Sequence, residues 1–220
     1  MSVSELDWGV AIDYLDVLLY GVLLTLRLSA ISTVVGLAIG IAVGLCRISK
    51  NPLIAIPAAV YVEVVRGIPL LVLLFYIYFG IGYFVNMPPF IAAVSGLGIF
   101  SGAFVAEIVR SGIESISRGQ MEAARSTGMT YLQAMRYVIL PQAFRRILPP
   151  LAGQFISLIK DSSLVSVISV VDLTLQARNV IIATFRSFEI WTVTALLYFS
   201  LTFTLSRAVR YLERRFKVID

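Results

Sequence analysis

Histidine is absent from the 220 residues, cysteine occurs once, at Cys46, and only 14% of the residues are charged. These shortages exclude a disulfide framework, zinc sites of the usual composition and catalytic triads that depend on histidine. The sequence also lacks a glycine-rich phosphate loop that ends in Lys-Ser or Lys-Thr. We therefore expect this chain to bind no metal, no ATP and no other cofactor.

Hydrophobic residues make up 59% of the chain, which is more than a soluble domain of this length can bury. The apolar runs reach the roughly 20 residues that a helix needs to cross a hydrocarbon core of about 30 Å. The sequence predicts an all-α membrane protein with a single transmembrane domain over residues 1–220. We expect about five spans, near residues 17–46, 53–85, 90–112, 148–171 and 188–209.

Lysine and arginine cluster in alternate connections, and such connections lie in the cytoplasm. They follow the first span, separate the third from the fourth, and fill the C-terminal tail (Arg207, Arg210, Arg214, Arg215, Lys217). The charged residues of the N-terminal segment are all acidic (Glu5, Asp7, Asp13, Asp16). We predict a multi-pass protein of the cell (inner) membrane with its N-terminus outside and its C-terminus cytoplasmic. The formal charge of +5 indicates this orientation and no nucleic-acid partner.

One connection fits this rule poorly. The segment before the fifth span holds both charge signs (Asp172, Arg178, Arg186, Glu189). We expect this segment to lie outside, and a return of the segment into the membrane is an alternative that the sequence leaves open.

Small residues recur every four positions along the first span (Ser32, Gly36, Gly40, Gly44) and again in the third (Gly98, Gly102). Such stripes let two helix backbones approach closely. Packing within one subunit is favoured over a seam between two subunits.

Residues 118–141 are too polar to span and too patterned to be a linker. We predict a first short helix from Glu122 to Ser126 with Gly128 as its C-cap. A second should run from Tyr131 to Val138, with Thr130 as N-cap and Pro141 ending it.

This segment resembles the EAA loop of ATP-binding-cassette (ABC) importer permeases, through Glu122-Ala123-Ala124, then Gly128, then Ile139-Leu140-Pro141. Three further stretches resemble the polar amino acid, histidine/glutamine permease-like branch: EVVRGIPL from residue 63, AEIVRSG from residue 106 and KDSSL from residue 160. The closing stretch, with EIW at 189 and LERR at 212, is most similar to glutamine permeases. The resemblance covers nearly the whole chain.

The resemblance implies a type I ABC importer fold and a chain that is not itself an enzyme. It implies three kinds of partner: an ABC ATPase that binds ATP and Mg²⁺, a second permease subunit that is a copy or a paralogue, and an extracytoplasmic amino-acid-binding protein. The complex would translocate glutamine, glutamate or a similar amino acid. In this family the loop forms a coupling helix that sits in a groove of the ATPase. The residues carried over to that role are Glu122, Ala123, Ala124, Gly128, Met129, Arg136, Leu140 and Pro141.

Polar residues follow one face of the predicted fourth span, where an unpaired charge would cost several kcal/mol unless it met a partner or a wet path. We predict that they line a substrate path (Gln154, Ser157, Lys160, Asp161, Ser163). The alternative is that they only hold helices together.

A second group is assigned to gating or structure (Glu63, Arg66, Gly67, Pro69, Glu107). The spacing of Glu63 and Arg66 favours an internal salt bridge that braces the Gly67/Pro69 break, with substrate contact as the alternative. Glu107 and Arg110 repeat the spacing. The sequence assigns no role to Arg27, Asp172 or Arg178.

Two other classes of function remain open. An ion-coupled secondary amino acid transporter or channel would use the charges within the spans, but it leaves the EAA-like segment unexplained. An intramembrane enzyme has only Ser157 and Lys160 in an S-x-x-K pattern, without the remaining machinery of that motif.

Overall fold

The computed structural model describes residues 6–216, with side chains to residue 211, and all regular structure in that part of the chain is helical. The predicted all-α class is confirmed. The N-terminal Glu5, the tail's Lys217 and the side chains of Arg214 and Arg215, which entered the orientation argument, lie outside the described part.

Eleven helices are defined among the described residues: α1 (Trp8–Asp13), α2 (Leu15–Arg47), α3 (Pro52–Gly67), α4 (Leu70–Phe75), α5 (Gly82–Val85), α6 (Pro89–Glu114), α7 (Arg118–Ser126), α8 (Tyr131–Ala134), α9 (Leu140–Asp161), α10 (Leu173–Thr184) and α11 (Ser187–Phe216). Two π-helical turns join neighbouring helices, α4 to α5 (Tyr76–Ile81) and α8 to α9 (Met135–Ile139). A 3-10 helix follows α9 (Ser162–Ile168).

Four continuous helical stretches in the described chain are long and apolar enough to cross a membrane: α2, α6, the stretch from α8 through the 3-10 helix, and α11. The fifth candidate is α3 followed by α4 and α5, which bend by 107° at the break. Pro69 explains the break, because it forces Ile68 into an extended conformation (φ −103°, ψ 132°). About five spans are thus present, as the sequence predicts.

The long helices α2 and α6 pack closely through the predicted small residues. A methyl group built on Gly44 would lie 2.8 Å from Val109 Cβ, and one on Gly98 would lie 2.6 Å from Val35 Cγ1. Both stripes therefore face each other within one chain, and the prediction of packing inside the subunit is confirmed.

Apolar cores lie at three levels along α2 and α6. The cluster at one end joins α1, α2, α10 and α11 through Leu18, Leu173 and Ile190, and the cluster at the other end joins α6 to α9 through Val109 and Ile147. A middle cluster fixes the broken span against α6 and α9 (Leu28, Leu74, Leu97, Leu158). The bundle thereby holds both ends of α9 in place.

The connection before the fifth span is the helix α10. Asp172 caps it by accepting a hydrogen bond from the Leu175 N–H at 2.8 Å. A methyl group on Gly21 would lie 2.8 Å from the Leu173 Cα, so α10 packs directly against the N-terminal third of α2.

The prediction that Pro141 ends the second cytoplasmic helix is wrong. Pro141 lies in the first turn of α9, directly after the π-helical turn Met135–Ile139. The helix continues through Pro141 because the π-helical turn before it locally changes the backbone hydrogen-bond pattern, which accommodates a residue without an N–H. α8 and α9 therefore belong to one continuous helical stretch.

Candidate functional site: the cytoplasmic coupling segment and the polar helix above it

The segment between the third and fourth spans, residues 118–141, has two built-in turn signals. At the end of α7, the Gly128 N–H donates to the Arg125 carbonyl at 3.1 Å and the Met129 N–H donates to the Ala124 carbonyl at 3.3 Å. This is a Schellman motif, and it needs a left-handed residue at Gly128, where φ is +88°. Gly128 therefore terminates α7 as predicted.

The start of α8 is equally well determined. Thr130 Oγ1 accepts a hydrogen bond from the Gln133 N–H at 3.3 Å, while Gln133 Oε1 accepts one from the Thr130 N–H at 2.8 Å. This reciprocal capping box confirms Thr130 as N-cap. The angle between α7 and α8 is thus set by local hydrogen bonds.

Most of the residues carried over from the EAA loop lie on the surface. Ala124 is buried and Met129 is half-buried, whereas the others are exposed (Glu122, Ala123, Gly128, Arg136, Leu140, Pro141). Glu122 forms no hydrogen bond or ion pair with any described residue. Its carboxylate is free to meet a group on another molecule.

The sequence did not single out two exposed hydrophobic side chains beside them. Leu132 is 76% exposed and Tyr131 is 47% exposed, both in α8. The N-cap at Thr130 fixes the helical phase that buries Ala134 and Met135 and turns Leu132 outward. That phase was the signal available in the sequence.

Side-chain contacts attach the coupling segment to the spans. Gln142 in α9 donates to Gln120 Oε1 in α7 at 3.3 Å, and Arg146 donates to the Ser115 carbonyl at 2.8 Å. The Lys50 ammonium lies 5.8 Å from the centroid of the Tyr131 ring, so the connection after the first span also contacts the segment. The segment therefore cannot shift without moving α6 or α9.

An ion network joins α2, α3 and α6. Glu107 of α6 accepts hydrogen bonds from Arg47 at the end of α2 and from Arg110 one turn further along α6. Arg110 also pairs with Glu114. The three-residue spacing of Glu107 and Arg110 thus brings these two side chains into contact.

The predicted salt bridge between Glu63 and Arg66 is wrong. Arg66 Nη1 lies 3.9 Å from Glu107, and its guanidinium carbon lies 5.2 Å from the Phe104 ring centroid. No cation among the described residues lies within ion-pair distance of Glu63, which is exposed. Arg66 takes its partner from α6 because α3 packs along that helix.

The break itself is open. Gly67 and Pro69 are exposed, and a methyl group on Gly67 would meet no atom within 4 Å. Gly67 is therefore not required for close packing within the described chain.

Four of the five predicted path residues lie in α9, which ends at Asp161, and Ser163 lies in the 3-10 helix that follows. Lys160 is exposed and the other four are half-buried (Gln154, Ser157, Asp161, Ser163). None of the five side chains forms a hydrogen bond or ion pair with another described residue. Within the described part of the chain, these side chains therefore do not hold helices together through polar contacts.

Asp172 has a structural environment that the sequence did not indicate. It is fully buried, caps α10 and accepts a hydrogen bond from the Tyr198 hydroxyl of α11 at 3.2 Å. The adjacent Leu173 N–H donates to Thr25 Oγ1 of α2 at 3.0 Å. Burial raises the pKa of the Asp172 carboxyl group above its ordinary value. Arg178, on the same helix, is exposed.

These features define a helical membrane protein of about five spans whose segment 118–141 is hydrogen-bonded to the third and fourth spans. Comparison with known proteins agrees. The family model of the binding-protein-dependent transport system inner membrane component matches residues 36–218.

Similar proteins cover the whole chain. The glutamine transport system permease protein GlnP of Escherichia coli is 40% identical over 218 residues, covering 98% of this chain and all of its own. The probable glutamine ABC transporter permease protein GlnM of Bacillus subtilis is 43% identical over 192 residues, or 87% of this chain and 89% of its own. A crystal structure of an amino acid ABC transporter with histidines is 44% identical with a TM-score of 0.92, covering 98% of this chain and 100% of the other.

The chain belongs to the family of inner membrane components of binding-protein-dependent transport systems, which are permease subunits and not ATPases. It is a multi-pass membrane subunit of an ABC importer. The predicted membership among amino acid ABC permeases and the type I importer fold are both confirmed.

Proposed function

We propose that this permease translocates a polar amino acid, with glutamine as the first candidate. Relatives with 40% and 43% identity over most of the chain carry glutamine in their names. The extracytoplasmic binding protein would deliver the amino acid. A second permease subunit, copy or paralogue, would complete the passage between the subunits.

The observation that carries this proposal is the exposed surface of α7 and α8. It offers a free carboxylate at Glu122 and an apolar side chain at Leu132, on a segment whose angle is fixed by Gly128 and Thr130. An apolar contact surrounded by charge suits a protein interface. The ABC ATPase would dock here and would bind the ATP and Mg²⁺ itself.

Orientation follows from the positions of arginine and lysine. We infer that the coupling segment, Arg47 and the end of α11 lie in the cytoplasm, with α1 and α10 outside. The domain is a single permease unit over residues 1–220.

Coupling would work through the continuous stretch of α8 and α9. Closure of the ATPases would draw the coupling segments of the two permeases together, and each α9 would tilt with its own segment. The unpaired amide, hydroxyls and charges of α9 and of the 3-10 helix after it would then face the passage (Gln154, Ser157, Lys160, Asp161, Ser163). They offer partners for the ammonium, carboxylate and side chain of an amino acid without holding any of them in a closed pocket. The Glu107 network would hold the end of α2 and the end of α3 at the break against α6 during this movement.

The test is co-purification with the ATPase encoded beside the permease, followed by ATP hydrolysis in liposomes with binding protein and candidate amino acids. Glu122→Lys and Gly128→Asp should abolish ATPase retention and amino-acid-stimulated hydrolysis. Asp13→Lys is the matched charge reversal on the opposite face and should retain the ATPase.

Stimulation by glutamine that both coupling variants remove would support the proposal and its substrate. Retention of the ATPase by both variants would refute the docking surface. Amino acid uptake by the purified chain without any ATPase would favour the ion-coupled transporter instead.

A further inference from the structure

Arg27 divides α2 into two parts of different character. Every residue from 28 to 46 is uncharged, and the next cation is Arg47. At about 1.5 Å per residue, these two arginines lie about 30 Å apart along the helix, which is the thickness of a hydrocarbon core. Arg27 therefore lies at one boundary of the hydrocarbon when Arg47 lies at the other.

The face of α2 that carries Arg27 is turned away from the rest of the chain. Its neighbours at four- and seven-residue steps are exposed apolar side chains: Leu23 at 60%, Val34 at 68%, Ile41 at 46% and Leu45 at 43%. The opposite face packs on α6 through the glycine stripe. Arg27 thus interrupts an apolar face of the kind that meets lipid.

A cavity of about 450 Å³ opens beside Arg27. Its walls are Arg27 and Leu24 of α2, residues 88–90 at the N-terminal end of α6, and residues 169–171 after the 3-10 helix. Phe90 is 41% exposed, and Ser169 supplies a hydroxyl group. The cavity is apolar apart from one cation and this hydroxyl, and no carboxylate lines it.

No carboxylate among the described residues lies within ion-pair distance of Arg27. An arginine at the edge of the hydrocarbon normally meets an anion, and its planar guanidinium binds phosphate oxygens in pairs. The anion must come from outside the described chain.

We propose that Arg27 and this cavity bind the phosphate group of a phospholipid in the leaflet opposite to the coupling segment. The phosphodiester would accept hydrogen bonds from the guanidinium, while the glycerol and the first acyl carbons pack against Phe90 and Leu24. The leaflet is the outer one under the proposed orientation, but the site itself does not depend on the transported substrate.

A lipid fits the cavity better than an amino acid does. The ammonium group of an amino acid would find no carboxylate in the cavity. The exposed side chains that follow Arg27 along α2 are apolar as far as Leu45, and this length matches an acyl chain and not an amino acid. Free phosphate would use Arg27 but not the apolar walls.

The experiment is native mass spectrometry of the delipidated transporter complex, titrated with phosphatidylglycerol. The native chain should retain a phospholipid that survives mild activation. Because a hydrogen bond to a charged group is lost, Arg27→Gln should weaken this binding at least about tenfold. Arg27→Lys should weaken it less, since it keeps the charge and loses the paired geometry.

Two further variants separate the cavity from general charge. Leu24→Trp fills the cavity while Arg27 remains, and it should lower lipid retention as Arg27→Gln does. Arg178→Gln removes an exposed cation of α10 and should bind lipid like the native chain. If Arg27→Gln fails to assemble, Arg27→Lys and Leu24→Trp still decide the question.

Four results would overturn the proposal. One is equal lipid retention by the native chain, Arg27→Gln and Leu24→Trp, and a second is equal loss in Arg178→Gln. A third is displacement of the lipid by inorganic phosphate or by glutamine at concentrations comparable to that of the lipid, which would indicate a free-anion or substrate site. The fourth is efficient disulfide cross-linking of a cysteine at position 27 to the second permease subunit, which would make this face a subunit interface.

Discussion

Replacing Glu107 with glutamine should destabilise the part of the bundle where α2, α3 and α6 meet by about 1–3 kcal/mol. Glu107 accepts hydrogen bonds from Arg47 and Arg110, and Arg66 lies 3.9 Å away. A hydrogen bond to a charged group contributes about 1.5–3 kcal/mol when it is shielded. The Glu107 side chain is 25% exposed, so solvent screening lowers the total stabilisation that its contacts with the arginines provide. The variant would leave three guanidinium groups around a neutral amide.

The three arginines should not be equivalent. Arg47 is hydrogen-bonded to Glu107 and its side chain is 15% exposed, whereas Arg66 is 42% exposed and more distant. Arg47→Gln should therefore cost more than Arg66→Gln, which should cost about 1 kcal/mol or less. In the Glu107→Gln background, Arg66→Gln should recover part of the lost stability because it removes a surplus positive charge.

The assay is thermal unfolding of the purified transporter in one detergent, at low and high salt. Glu114→Gln is the matched control, since Arg110 is the one cation among the described residues that pairs with Glu114, and the Glu114 side chain is 53% exposed. The reasoning is refuted if Glu107→Gln and Glu114→Gln lower the melting temperature equally, or if Arg66→Gln costs as much as Arg47→Gln.

Three further outcomes are expected. Gly44→Ala should lower the melting temperature, because its new methyl group would lie 2.8 Å from Val109 Cβ and overpacking costs about 1–3 kcal/mol. As the control, Gly153→Ala places its methyl group in open space and should be neutral or stabilise by up to about 1 kcal/mol. Gly128→Ala should destabilise the protein by about 1–2 kcal/mol, because φ is +88° at this position, and it should reduce ATPase retention more than Gly128→Asn does. Equal retention by the native chain and both variants would contradict this prediction. Burial raises the pKa of Asp172, so its contribution to stability is full below the unfolded carboxyl pKa of about 3.9 and falls as pH rises through the raised value. Between those values the melting temperature should fall more for the native chain than for Asp172→Asn, and parallel pH profiles would refute the assignment.

The coupling segment was largely predictable because its structure is set by local chemistry. A glycine that must adopt positive φ, and a threonine followed three residues later by a glutamine, identify the end of one helix and the start of the next. The glycine stripes were predictable for the same reason, since their four-residue period needs no knowledge of the partner.

The partners of the charged residues were not predictable in this way. The three-residue spacing of Glu63 and Arg66 favoured a bridge within α3, yet Arg66 approaches Glu107, far along the sequence. The role of Asp172 as a buried cap that contacts α11 depends on tertiary packing in the same manner. Spacing gives only the candidate partners along one helix, whereas Glu107 and Tyr198 reach these groups from neighbouring helices through tertiary packing.

The missed continuity at Pro141 changes how movement at one surface reaches another. From Tyr131 to Asp161 the backbone is continuously helical over about 45 Å, and its bending points are the π-helical turn Met135–Ile139 and the pair Pro149-Pro150. If this stretch pivots about its middle by roughly 10°, each end travels about 4 Å in opposite directions. The residues that would touch the ATPase and those that would touch the amino acid then occupy the two arms of one lever, and the stiffness of the π-helical turn and the proline pair sets how much of a push at the first reaches the second.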